Sequence, residues 1–261
     1  MTMRLFLFLL SGLLLASSAN AAENGADGPP DSFAGCPEPL AAAFRAFGKD
    51  ANRWAYTIRT VTRDRKGKVV EDTVARYDPS QHYDVQWTLL KKNGLEATES
   101  EVRKHRKLRA KLEKNRKTLG ELLDLKQARR VENAPAAPVV LTYAMPVKVE
   151  GNDRFPADKV EVLVRIIAAS RELAGIEMRL LRPVRAALVA KVKQGGVRLD
   201  FEKVHPEHGP ALTRTQIDLA ASIALVPVEQ HTEQTHSDFK RVTPYDERFQ
   251  VKLGPLKAID F

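Results

Sequence analysis

Six histidines are the residues of this sequence best suited to chemistry, and the tightest pair stands in His205-Pro206-Glu207-His208. A zinc site needs three or four such donors converging on one point at about 2.0–2.3 Å. Pro206 and Pro210 make the segment a turn, not a helix that would carry two ligands on one face. His231 and His236 are five apart in an expected strand, which sends them to opposite faces. The single cysteine, Cys36, can neither complete a cysteine-based site nor close an internal disulfide. No metal and no cofactor are therefore expected. A nucleophile elbow of the Gly-x-Ser-x-Gly type is absent from the sequence. So is a Gly-rich phosphate loop leading into a helix. Asp72 and Asp78 fall on ordinary strand and turn positions. The expectation is a protein without catalysis of its own.

The segment with the clearest physical message is basic. Thr98 to Leu119 holds nine Lys or Arg against three Glu, which accounts for most of the chain's net positive charge. Thr98-Glu99-Ser100-Glu101 is a capping box, with Thr98 and Glu101 placed to satisfy each other's backbone amides. A helix is expected from there to about Leu119, with Gly120 breaking it before a second piece, Glu121 to Arg130. Leu108, Leu112, Leu119 and Leu122 form a narrow apolar stripe, and Leu108 and Leu112 are candidates to face an apolar ligand. Arg103, Lys104, Arg106, Lys107, Arg109 and Lys111 are candidates to face an anionic surface or an acidic partner protein, an attraction that salt would screen. The alternative is a solvated helix whose charges serve solubility. The apolar face is too narrow for deep membrane insertion, so the helix would lie on a surface or close over the rest of the protein as a lid.

The rest of the chain explains what would position these groups. Arg4, the apolar run of eleven from Leu5 to Leu15 and Ala19-Asn20-Ala21 read as an export signal cleaved after Ala21. The run is too short for a permanent span. Removal leaves 240 residues, 41 basic and 33 acidic, and places the expected protein in the periplasm, where nucleic acid is not a partner. Phe33-Ala34-Gly35-Cys36 resembles a lipidation box, but Glu23 to Ser32 separates it from the apolar run, so Cys36 is read as a small apolar residue near a helix start. Residues 22–38 are a flexible leader rich in Gly, Pro, Asp and Ser. A single domain follows over 39–261, with the helical insertion at 98–130.

That domain opens with a short helix whose Leu40, Ala43, Phe44 and Phe47 share a face and which Gly48 and Asp50 end. Strands follow at Asn52 to Thr62, Lys68 to Tyr77 and Gln86 to Lys91, turned by Asp64-Arg65-Lys66-Gly67 and closed by Asn93-Gly94. After the insertion, period-two alternation runs almost unbroken from Asp158 to Val242. It passes through Val160 to Ile166, Ile176 to Leu180, Leu188 to Val192, Val197 to Phe201 on the far side of Gly195-Gly196, and Ile217 to Leu225. Short connections make neighbours antiparallel, and a sheet of nine to eleven strands must curl to protect its edges. The expected class is α+β, mainly β: a curled antiparallel sheet, or half-open β-barrel, with a few helices on the concave side. Trp54, Tyr56, Ile58 and Trp87 are candidates to line an apolar trough there, the alternative being plain packing between helix and sheet.

This order of elements resembles the periplasmic lipoprotein carrier and its relatives, the LolA/LolB/RseB-like group. The helix Leu40 to Phe47, the strand Trp54 to Val61 and the Asp64 to Gly67 turn match it best. Tyr77-Asp78-Pro79-Ser80, Trp87-Thr88-Leu89-Leu90, Gly94 and Thr98 resemble a block in uncharacterised secreted bacterial proteins grouped with this fold. The resemblance implies a half-barrel whose helices plug a trough for acyl chains of lipid or lipoprotein. It carries no residue role, and the long basic helix departs from the carrier's pattern. Two other classes stay open. Phe249, Val251, Leu253, Ile259 and terminal Phe261 resemble the last strand of an outer-membrane barrel, although Gly254-Pro255 interrupts them and the mature chain has only fifteen aromatics for its girdles. A sensor or regulatory module of the envelope would look the same in sequence.

Overall fold

A computed structural model describes residues 33–114, 122–132, 140–148, 157–187, 190–224 and 226–249. The segment expected to be an export signal, most of the expected leader and the aromatic C-terminal run from Val251 to Phe261 lie outside them. Helix α1 spans Glu38–Asp50, entered through Pro37 and carrying Glu38 in its first turn and Lys49 in its last, the signs that complement the helix dipole. It runs through Gly48 rather than ending there.

Strand β1 (Trp54–Asp64) and β2 (Val69–Tyr77) form the expected hairpin. Asp64 fixes its turn: Oδ1 accepts the amides of Lys66 and Lys68 at 2.9 and 3.0 Å. Gly67 supplies a φ of +77° that a side chain would resist. Next come β3 (Trp87–Lys92) and the two-residue β4 (Leu95–Glu96), joined by Asn93-Gly94 with both φ positive, the requirement of a type I′ turn. Helix α2 (Glu99–Lys114) follows, capped as its sequence predicts: Thr98 N–H donates to Glu101 Oε2 at 3.1 Å. Of the second helical piece expected over Glu121 to Arg130, Leu122 is helical in the described residues, and beyond it stand a 3-10 turn at Leu125–Gln127 and strand β5 (Arg129–Val131). Leu123 and Leu125 are claimed by the main core, and that burial overrides the local helical pattern.

Strands β6 (Val140–Pro146), β7 (Val160–Ile167), β8 (Leu173–Leu180), β9 (Val184–Ala187), β10 (Ala190–Glu202), β11 (Ala211–Ile223) and β12 (Val226–Arg241) complete one sheet. Its order is β4-β3-β2-β1-β12-β11-β10-β8-β7-β6-β5, with β9 pairing only β10, and every pairing is antiparallel. The sheet is curled and unclosed, as the alternation implies, with twelve strands. One joint differs from expectation. Gly195-Gly196 does not divide two strands; β10 runs straight through it, and β8 and β11 lie on either side.

Cross-strand register puts both cores on one face. Met145, Val162, Met178, Val197, Ile217, Thr232 and Thr62 stand opposite one another in a single row across seven strands. The next row runs Tyr143, Val164, Ile176, Leu199, Thr215, Gln234, Thr60, Thr73. Both rows are apolar as far as β10 or β11 and polar beyond. The inner face therefore has an aliphatic half and a hydroxyl-bearing strip. Helix α1 seals the aliphatic half with Leu40, Ala43, Phe44 and Phe47. Phe47 meets Phe201 edge to face at 5.2 Å, the favoured arrangement for paired rings. Cys36 packs at the margin of this core.

Candidate functional site

Beyond the polar strip, the inner face becomes aromatic. Tyr56, Tyr77 and Trp87 stand opposite one another on β1, β2 and β3, with centroids 5.3 Å apart for the first pair and 4.7 Å for the second. Ile58, Ala75 and Leu89 form the row beside them and bury the second, smaller core. From Tyr56 the rings continue through Phe239 (5.9 Å) to Trp54 (6.1 Å), and through His236 (4.9 Å). The four sequence candidates Trp54, Tyr56, Ile58 and Trp87 thus share one surface. Trp54, Ile58 and Trp87 are fully covered and Tyr56 half-buried, so they serve as packed floor under a cover.

The cover is α2, and the face it turns inward is not its leucine stripe. Val102, His105, Arg106 and Arg109 follow helical spacing onto the aromatic floor. Val102 packs on the second core. Arg106 Nε donates to the Trp87 carbonyl at 3.3 Å, and His105 sits 6.2 Å from the Trp87 ring. The Arg109 guanidinium lies 4.0 Å over the Trp87 ring, and its Nε donates to His105 Nε2 at 3.4 Å. A guanidinium over an indole face is the strongest common cation–π geometry. Leu108, by contrast, is 45 % exposed, and Leu112 is half-buried at the flank. Leu108 lines nothing: aromatic rings that can accept a cation outcompeted an aliphatic stripe too narrow to seal the floor.

The six basic candidates divide in two. Arg103, Lys104, Lys107 and Lys111 are exposed on the outer face of α2; Arg106 and Arg109 face the sheet. Burial pushes the Arg109 guanidinium below its ordinary value, while Tyr56 and Glu113 draw it back up. Burial, with Arg109 and Arg106 adding repulsion, pushes His105 down to about 4. Burial also pushes His236 down to about 4, partly opposed by its hydrogen bond to the Thr213 backbone and reinforced by Arg109. Both imidazoles are thus neutral at pH 7.

The seam is short of hydrogen bonds. Among the described residues, Trp87 Nε1, His105 Nδ1 and His236 Nδ1 are buried without a partner, as is Trp54 Nε1 farther along. Each such group costs about 1–3 kcal/mol if left unsatisfied. With His105 Nε2 accepting from Arg109, the neutral ring carries its proton on Nδ1. Trp87 and His105 then offer two N–H donors beside a half-buried cation. That combination suits an anionic or carbonyl-bearing group.

Tyr77 was not legible in the sequence: the turn pairs Arg63 with Val69, a register that would set Arg76 opposite Tyr56, and a bulge between Thr62 and Arg63 shifts the pairing by one so that Tyr77 stands there. Arg109 was singled out in the sequence as one of six basic candidates but not as facing the sheet, and His105, His236 and Phe239 gave no signal of a site. The sequence reading separates His231 and His236, and the structure does too: His231 pairs with Asp218 at 2.6 Å on the outer face, while His236 is buried. The aromatic run reserved for a barrel's last strand begins at Phe249, which ends a 3-10 turn here. No protein-family model matches the chain, and no curated protein matches its sequence.

Proposed function

We propose that this is a non-catalytic envelope protein, exported to the periplasm, that binds an amphiphile with apolar chain and anionic head beneath α2. The observation that carries the reading is the contrast between its two helices. Helix α1 is fixed by a filled aliphatic core. Helix α2 rests on aromatic rings through two arginines and a histidine, above donors with no partner. A cover held this way is displaceable, and its removal uncovers a greasy floor beside a half-exposed polar strip of Thr60, Thr62, Thr73 and Gln234. An acyl chain would lie on Tyr56, Tyr77 and Trp87, and its head would take Arg109 and the free N–H groups. The resemblance to the lipoprotein-carrier group points the same way. The unclosed sheet weighs against a membrane-spanning barrel, because hydrocarbon cannot satisfy the backbone groups of open edges.

The test is direct. Protein purified from the periplasm should release lipid on solvent extraction, and native mass spectrometry should find it loaded. Delipidated protein should bind a long-chain fatty acid with a change in tryptophan fluorescence, and bind the matching alcohol more weakly. Arg109→Gln should erase that preference, with an affinity loss of roughly tenfold for the acid, the size expected of one charge-assisted contact. Protein that is always empty and never takes up the acid would end the proposal.

The outward basic face gives a second expectation. Reversing Arg103, Lys104 and Lys107 to Glu should release the protein from anionic vesicles, since each basic residue near such a surface contributes about 1 kcal/mol. Co-sedimentation at low and high salt measures this. Binding that survives the reversal would leave these charges a role in solubility alone.

A further inference from the structure

We infer that the turn His205-Pro206-Glu207-His208, between β10 and β11, is a binding site for a divalent transition metal of the zinc type. This site is separate from the amphiphile seam and does not depend on it. His205, Glu207 and His208 each offer a ligand atom, and the three atoms lie within 4.8 Å of one another. The two imidazole rings stack with centroids 4.8 Å apart and 29° between planes. The sequence had argued against a site because the prolines forbid a helix. The turn itself does what a helix would have done. Its backbone closes from His208 N–H to the His205 carbonyl at 3.3 Å, and Pro206 fixes φ inside it.

The turn is anchored from below. Gly209 N–H donates to Asp50 Oδ2 at 2.9 Å, and Arg241 holds the other oxygen at 2.6 Å. Burial pushes the Asp50 carboxyl up, but these two donors outweigh it and hold it below its ordinary value, with His208 adding a small pull. The His208 ring also sits 5.6 Å from Trp54, edge to face, while His205 and Glu207 are exposed.

Two imidazoles and one carboxylate match zinc, and Cu2+ and Ni2+ as competitors. Tetrahedral zinc with bonds of about 2.0–2.1 Å needs donors about 3.3 Å apart. Closing from the present spacing asks only for side-chain rotation of His205 and Glu207. The contact given up, Glu207 N–H to His205 Nδ1, is a long 3.3 Å. Three protein ligands leave a fourth position for water or for a donor from another molecule.

The metal-stripped mature protein should bind one equivalent of Zn2+ in calorimetry, and Co2+ should give the visible bands of a four-coordinate site. Cu2+ or Ni2+ should quench part of the tryptophan fluorescence, because Trp54 adjoins His208. His205→Ala, at an exposed position that leaves the fold intact by circular dichroism, should weaken Zn2+ binding by roughly tenfold or more; Glu207→Gln should weaken it less. Absence of binding at submillimolar Zn2+, or binding unchanged in His205→Ala, overturns the site. Fatty-acid binding by the same His205→Ala protein should stay at wild-type strength, which keeps this test distinct from that of the proposed function.

Discussion

Lowering the pH from neutral to about 4 will destabilise the protein before most of its carboxylates titrate. His236 and His105 are each held near 4 in the folded protein against 6.5 in an unfolded chain. A depressed folded value means the unfolded chain takes up protons first. The contribution of each neutral imidazole is therefore complete above pH 6.5 and declines as pH falls through the interval down to about 4. For His236, the more deeply buried, the loss is roughly 3 kcal/mol. His105 lies at the edge of the seam, partly open to water, and contributes less. Asp50 and Asp72 are held low and act below this window: burial opposes but does not outweigh the Gly209 and Arg241 contacts of Asp50, and the Arg59 hydrogen bond leads for Asp72. Urea titrations across the interval measure the slope. It should flatten in His236→Gln and His105→Gln, whatever those variants do to stability at pH 7. An equal slope in both variants and wild type would mean the seam does not hold its histidines neutral.

Leu40→Ala should cost about 2–5 kcal/mol, while Leu108→Ala should stay within about 0.5 kcal/mol. Both are leucines on amphipathic helices, and sequence alone ranks them alike. Leu40 is fully buried in the core that joins α1 to the sheet, whereas Leu108 faces water. Removing Leu40 therefore leaves a cavity that close-packed neighbours cannot fill. Denaturant midpoints of the two variants settle the matter. Similar shifts would mean that α2 packs through its leucines after all, and the displaceable-cover argument would fall with that result.

How far the sequence could be read depended on the range of the interactions involved. The Asp64 to Gly67 turn, the Asn93-Gly94 turn and the Thr98–Glu101 cap were legible because each is settled by residues within a few positions of one another. The alternation through Val160 to Ile166 was legible for a related reason: a strand buried on one face must repeat with period two. The helix expected over Glu121 to Arg130 was lost because Leu123 and Leu125 are taken by a core assembled from residues far along the chain. A glycine pair that reads as a break in β10 is straightened by strands on both sides.

The candidate site divides along the same line. That Trp54, Tyr56, Ile58 and Trp87 share the sheet's inner face was legible because aromatic and branched residues alternating in a strand must face a core. Their cover was misread because the choice between the Leu108 stripe and the Arg109 face rests on what lies opposite α2, and only the pairing of β1, β2 and β3 builds that aromatic floor. His205 and His208 were set aside for want of a helix, yet a proline-closed turn braced on Asp50 stacks them. By itself, then, the sequence determined a curled antiparallel sheet with a capped basic helix inside it, since these follow from local sterics and hydrophobic period. Which face of that helix is buried and which histidines are neutral were decided by tertiary structure. Those are properties of the distance between groups far apart in the chain, and no local pattern encodes them.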